Sequence, residues 1–281
     1  MMSEKNSPST QLCSYRQEET AMTYVLADLH GYYDKYSEML EKIQFSPADT
    51  LYILGDIIDR GPDGIRILRD MMLRSNVIPL LGNHEFTAAA CLSWMLNDIT
   101  EESLASLGPA QMGALQGWMN NGGESTFLAV CGLSREEREE ILEYIMDMEI
   151  YAQVEAGSRS FLLVHAGLGH FVSGKDLSDY DLEDFLFSRP ELDRQDDSGQ
   201  YLVYGHTPTR LLRQQMGKPP SDAIFCWGTQ IAIDCGCGFG GRMGCLCLDT
   251  MEEYYVRLST PHHNYILGLQ LRSTFLAIHP C

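Results

Sequence analysis

Residues 51–61 read Leu51-Tyr52-Ile53-Leu54-Gly55-Asp56-Ile57-Ile58-Asp59-Arg60-Gly61. Four apolar residues run into a glycine and an aspartate, the pattern of a short buried strand that stops at a polar turn. The same figure recurs on both sides. Tyr24-Val25-Leu26-Ala27 ends at Asp28, and Val77-Ile78-Pro79-Leu80-Leu81 ends at Gly82-Asn83-His84. Between the runs, residues 33–44 place Tyr36, Met39, Leu40 and Ile43 at helical spacing, and residues 63–74 do so with Ile65, Leu68, Met71 and Met72. The order is strand, helix, strand, helix, strand, which predicts parallel strands with helices packed on the sheet. The stops lie about 28 residues apart, close to the ~30 of one crossover unit. Equal units put Asp28, Asp56 and Asn83 at one sheet edge, the carboxyl end where open α/β sheets hold ligands.

Residues 85–150 read as mainly helical. Ser134-Arg135-Glu136-Glu137 is a capping box, and the acidic face that follows reads as solvated. Strand-like runs then dominate: 150–155, Phe161 to Val164, Tyr201 to Tyr204, Ile231 to Ile233, Met243 to Leu248 and Tyr254 to Arg257. They predict a second, largely antiparallel sheet. The expected organisation is a loose tail over 1–22, one domain over 23–258 and a C-terminal extension over 259–281.

The 281 residues carry 20 Lys and Arg against 39 Asp and Glu, a net charge of −19. Polyanions are repelled by such a chain, so nucleic-acid and anionic-membrane partners are not expected. No apolar run reaches the ~18 residues of a membrane span. The N-terminal stretch has no apolar core, so no signal peptide is expected. Nine cysteines, an odd count, then point to free thiols and a cytoplasmic location. Cys235, Cys237, Cys245 and Cys247 repeat at every second residue. That fits a structural zinc or, better, one apolar face of two strands. His170, His262 and His263 read as loop or surface residues.

Five motifs place polar residues beside glycines at the ends of apolar runs: Asp28-Leu29-His30-Gly31, Gly55-Asp56-Ile57-Ile58-Asp59-Arg60-Gly61, Gly82-Asn83-His84-Glu85, His165-Ala166-Gly167 and Gly205-His206-Thr207-Pro208. Asp28, Asp56 and Asn83 offer oxygen; His30, His165 and His206 offer nitrogen. That donor set suits borderline divalent ions such as Mn, Fe or Zn. Six side chains are too many for one catalytic ion and suit two, with Asp56 shared between them.

In order and spacing these motifs resemble the PPP family, the calcineurin-like metallophosphatases, over roughly residues 23–250. Trp118-Met119-Asn120-Asn121-Gly122-Gly123, Phe187-Ser188-Arg189, Gly205-His206-Thr207-Pro208 and Ile233-Asp234-Cys235-Gly236 with Gly240-Gly241-Arg242 are similar to its bacterial and phage serine/threonine phosphatases. Two departures are Ala27, where the family usually has Gly, and Phe187, where that branch usually has Trp.

The resemblance implies two mixed β-sheets in a sandwich flanked by helices. It implies that Asp28, His30 and Asp56 hold one metal ion, and that Asp56, Asn83, His165 and His206 hold the other, with manganese foremost. A hydroxide between the ions would attack phosphorus, His84 would protonate the leaving oxygen, and Asp59 would orient its ring. Arg60, Asn83 and Arg189 would bind the phosphate. The expected function is hydrolysis of serine or threonine phosphomonoesters on a phosphorylated protein or peptide, with phosphotyrosine as a further class. The alternatives are a dinucleoside-polyphosphate or nucleotide hydrolase with the same site, and a catalytically silent phosphate-binding module.

Overall fold

The computed structural model describes residues 21–96, 99–193 and 198–258. The expected tail up to residue 20 and the extension 259–281, with His262 and His263, lie outside the described residues. Among the described residues, ten strands form two five-stranded sheets. The first contains β1 (Thr23–Leu26), β2 (Thr50–Ile53), β3 (Val77–Pro79), β9 (Arg242–Cys247) and β10 (Glu253–Arg257), in the order β10-β9-β1-β2-β3. The second contains β4 (Tyr151–Ala156), β5 (Arg159–Val164), β6 (Tyr201–Tyr204), β7 (Phe225–Trp227) and β8 (Gln230–Ala232), in the order β4-β5-β6-β8-β7.

β1, β2 and β3 pair in parallel, as the crossover rhythm requires, through α1 (Tyr33–Lys42) and α2 (Gly64–Met72). The second sheet differs from the antiparallel expectation. β5 pairs β6 and β6 pairs β8 in parallel, while β4 and β7 are antiparallel edges. Parallel pairing there needs crossovers, and these are irregular segments carrying the short helices α8 (Leu182–Leu186) and α9 (Thr209–Gln215). Neither has the long periodic pattern that marks α1 and α2.

Alternate residues of each strand enter different cores, because side chains alternate across a pleated sheet. Tyr24, Leu26, Leu51 and Ile53 face the helices, whereas Val25, Ala27 and Leu54 face the second sheet. From that sheet, Phe161, Leu163, Val203 and Ile231 complete the inter-sheet core. Leu162, Val164, Leu202 and Tyr204 point to the far side. The arrangement is a sandwich of two mixed sheets with helices outside. Helices α3 (Asn83–Leu92), α4 (Glu101–Ala105), α5 (Pro109–Trp118), α6 (Glu124–Cys131) and α7 (Arg135–Met146) build the helical side. At the start of α7, Ser134 and Glu137 exchange cap hydrogen bonds.

The cysteines follow the same alternation. Cys245 and Cys247 face the helix-side core with Cys237, and Cys235 faces the inter-sheet core. All four are buried free thiols divided between two compartments, which suits small apolar residues and not one tetrahedral zinc. Among the described residues, no helix is long and apolar enough to cross a membrane.

Candidate active site

The tips of β1 and β2 and the start of α3 meet in a crowded knot of backbone. The Asp28 N–H donates to Gly55 O at 3.1 Å, and the His30 N–H donates to Asp56 O at 2.8 Å. A Cβ on Gly55 would lie 2.5 Å from Gly82 Cα, and its φ of +74° already favours glycine. Of ten described non-glycine residues with positive φ, six are Asp28, His30, Asp56, Asp59, Arg60 and His206. Such conformations persist only where the surroundings over-determine them, and they gather at functional sites.

Glu85 supplies much of that determination. Its buried carboxylate accepts the N–H groups of Asp56 (2.8 Å), Ile57 (2.8 Å), Ile58 (3.1 Å) and Gly82 (3.2 Å). Burial pushes the Glu85 carboxyl up to about 7, while these donors favour the carboxylate.

Asp56 stands at the centre of two donor groups. One joins it to His30 and His84; the other joins it to His165 and His206. Its Oδ2 lies 3.7 Å from His30 Nε2 and 3.8 Å from His84 Nε2, and its Oδ1 lies 3.3 Å from His165 Nε2. The two oxygens thus face different groups. Asn83 Oδ1 lies 2.9 Å from both His165 Nε2 and His206 Nδ1. Asp28 falls outside both groups. It is buried nearby, and both of its carboxylate oxygens sit 3.0 Å from the His206 N–H.

These residues fit divalent ions on three counts. The donors are oxygen and imidazole nitrogen, and two groups share one carboxylate. His30 Nδ1 faces Ile58 O at 3.2 Å and His165 Nδ1 faces Leu54 O at 2.7 Å. Ring N–H groups donated to these carbonyls leave each Nε2 lone pair aimed at the cluster. Finally, buried acids crowd it. Burial and the charges of Asp234 and Asp56 raise the Asp28 carboxyl, and burial pushes Asp234 up to about 7.

Protonation divides the histidines by task. Burial lowers His30 and His206 to about 3 and lowers His165 as well, leaving the neutral rings that ligation needs. Burial alone would raise Asp56, but the surrounding imidazoles, His165 foremost, hold it below the ordinary carboxylate range. His84 goes the other way. Burial pulls it down, and Asp56 with Asp59 overrides that and raises it.

Asp59 is fully buried and fixed on three sides. Its Oδ2 lies 2.6 Å from His84 Nδ1 and accepts Trp118 Nε1 at 2.9 Å, and its Oδ1 accepts the Thr126 hydroxyl at 2.6 Å. With Nδ1 so held, His84 Nε2 lies on the cluster side of the ring, 3.8 Å from Asp56 Oδ2. Arg60 lays Nη1 against His30 Nε2 and Nη2 3.2 Å from His84 Nε2. Arg189 donates to Thr207 Oγ1 at 2.7 Å. A cleft of about 720 Å³ is lined by Asp56, Asn83, His84, His206, Arg60 and Arg189, and also by Arg210.

The model of the calcineurin-like phosphoesterase family matches residues 22–219. The chain belongs to that family. Among curated relatives, the symmetrical bis(5'-nucleosyl)-tetraphosphatase of Acidovorax sp. (strain JS42) is 31% identical over 147 residues, covering 52% of this chain and 43% of that protein. The protein of the same name from Erwinia tasmaniensis is 34% identical over 87 residues, 30% of this chain and 32% of its own length. The chain therefore spans less than half the length of these relatives. A crystal structure of a putative diadenosine tetraphosphatase matches with a TM-score of 0.57 at 16% identity, over 87% of this chain and 96% of that one. A serine/threonine phosphatase from Saccharomyces cerevisiae matches with a TM-score of 0.51 at 12% identity, over 88% and 82%. The two structures share the fold. The named curated relatives stand nearer the dinucleoside-polyphosphate alternative than the protein-phosphatase expectation.

In this calcineurin-like phosphoesterase several site residues have no task assigned from sequence. Glu85, Trp118 and Asn121 sit inside quoted motifs, and Asn121 Nδ2 comes within 3.5 Å of His84 Nε2. Thr207 sits inside a quoted motif too, where it accepts from Arg189, whereas Thr126 carries no pattern of its own and becomes visible only through Asp59. The two departures are absorbed locally. The Ala27 methyl lies in the inter-sheet core beside Gly205, where a second Cβ would stand 2.7 Å away. Phe187 packs edge-on against Phe86 at 5.9 Å.

Proposed function

We propose that this chain is a metal-dependent hydrolase of bis(5'-nucleosyl) tetraphosphates, cleaving the central anhydride to give two nucleoside diphosphates. The observation that carries the reading is the third arginine. Arg60 and Arg189 suffice for the terminal oxygens of one phosphomonoester. Arg210 lines the same cleft and, among the described residues, is held by an exposed pair with Asp222, at 2.8 and 3.2 Å. Exposed pairs of this kind are weak, so the guanidinium is easily given up to a longer polyanion. In a chain of net charge −19, three arginines in one cleft form a local attraction for phosphates. The names of the curated relatives support the same substrate class.

Asp28, His30, Asp56, Asn83, His165 and His206 would hold two divalent ions, manganese first. Such ions supply Lewis acidity and lower the pKa of water. Arg60 and Arg189 grip the reacting phosphate, and Arg210 takes the phosphates beyond it. His84 holds a proton at Nε2 for the leaving oxygen, and Asp59 keeps the ring in place. Water adds to one inner phosphorus as the central P–O bond breaks, so no residue of the chain is consumed.

The test offers diadenosine tetraphosphate and a phosphoserine peptide side by side, with manganese, and separates the products by chromatography. The expected result is two ADP per dinucleotide, formed faster than phosphate from the peptide. Faster release from the peptide would return the assignment to protein phosphatase, which Asp59-Arg60-Gly61 and His84-Glu85 also suit. Turnover of neither substrate leaves a phosphate-binding module.

A further inference from the structure

Phe239 is an aromatic side chain in the cleft with no task in phosphate chemistry. It belongs to the turn Cys237–Phe239, which joins β8 to β9, and the residue is 68% exposed. Water is a poor solvent for an aromatic face, so a phenylalanine left open inside a binding cleft invites a flat partner. We infer that Phe239 is a stacking platform for one nucleobase of the substrate, and so a specificity-determining residue; the inference rests on the dinucleotide reading given above.

Three observations fix the platform beside the reacting groups. The Arg60 guanidinium lies over the Phe239 ring, with Cζ 4.2 Å from its centroid. One side chain therefore ties the aromatic surface to a phosphate-binding cation. A planar base would take the face of the ring opposite Arg60. The turn is also seated on the metal-ligand shell: any Cβ on Gly238 would collide with His30 Cδ2 and Arg60 Nη1. Close approach at that position keeps Phe239 next to the cluster. Finally, the turn closes on itself. Phe239 N–H donates to Gly236 O at 2.9 Å and Gly241 N–H to Gly236 O at 2.8 Å, with left-handed glycines at 236 and 240. A platform already in place loses little entropy when a base lands on it. Base–aromatic stacking tolerates any base, because every base has a π-face. The contact would select nucleotides over base-free phosphates without choosing among nucleobases.

The experiment compares the parent with Phe239→Ala and Phe239→Leu, the second keeping apolar bulk without a π-face. Substrates are diadenosine tetraphosphate and inorganic tetraphosphate, which has no base. Both variants should raise KM for the dinucleotide about tenfold, and more than they raise it for the inorganic chain. Equal losses on the two substrates would mean that Phe239 only steadies Arg60, and would overturn the inference. A second arm needs no turnover. In Phe239→Trp, tryptophan emission, read against the parent's three tryptophans, should change with AMP and not with inorganic phosphate. No AMP-dependent change also overturns the inference. A parent that ignores the dinucleotide while the Trp variant still senses AMP would remove the proposed reaction and leave the platform standing.

Discussion

Asp56 is the residue whose geometry separates a shared ligand from a simple neighbour. Its two oxygens face different imidazole groups, and its negative charge is what holds both together. Asp56→Asn should therefore weaken both manganese equivalents, each by about tenfold or more, since even outer-shell changes cost that much. Calorimetric titration reads this directly, and loss of only one equivalent would contradict the sharing. His84 makes a different kind of prediction. A proton at Nε2 matters most when the leaving oxygen is a poor one. His84→Ala should cost ~10²-fold or more on phosphoserine peptide and clearly less on p-nitrophenyl phosphate or an anhydride. Equal losses on good and poor leaving groups would count against an acid role. Glu85→Gln replaces an acceptor of four backbone N–H groups with a side chain that is half donor. Unsatisfied buried donors cost ~1–3 kcal/mol each, so urea unfolding should show a loss of at least ~2 kcal/mol. The cluster around Asp56 was legible because each donor ends an apolar run. The orientation of Asp28 was not, since the N–H that captures it comes from His206, 178 positions away.

Among the elements, legibility followed pattern length. β1 and β2 alternate between two cores, β3 belongs to an unbroken apolar run, and α1 and α2 repeat at helical spacing, so five consecutive elements could be read from the sequence. β7 has three residues at a sheet edge and α8 has five, too short for either period to declare itself. The second sheet was read as strands but not as parallel strands, because its crossovers carry little regular helix. The turn between β2 and α2 makes its own prediction. Gly55→Ala puts a methyl against the Gly82 backbone, which has no rotamer to move. Circular dichroism should show loss of the folded protein at temperatures the parent survives. The cap of α7 is milder: Ser134→Ala removes the hydroxyl that accepts the Glu137 N–H at an exposed helix start, and should cost ~1 kcal/mol.

At the scale of the molecule, the donors come from both halves of the sandwich. Asp28, His30, Asp56 and Asn83 follow strands of the first sheet, and His165 and His206 follow β5 and β6 of the second. Ions bound among them would staple the two sheets. Manganese at a hundred times its dissociation constant should add ~2.7 kcal/mol of stability, seen as a rise in melting temperature that a chelator reverses and Asp56→Asn reduces. An unchanged melting temperature would argue that the two sides are not bridged.

The placing of β9 beside β1 has a consequence for synthesis. Tyr24 pairs with Cys247, so the middle of the first sheet waits for a partner more than two hundred residues downstream. At ~5–20 residues per second, a growing chain on the ribosome would carry β1 with one bare flank for on the order of ten seconds or more. Bare strand flanks invite pairing with other chains. Chaperone demand should accordingly peak during translation and fall once the last strands emerge.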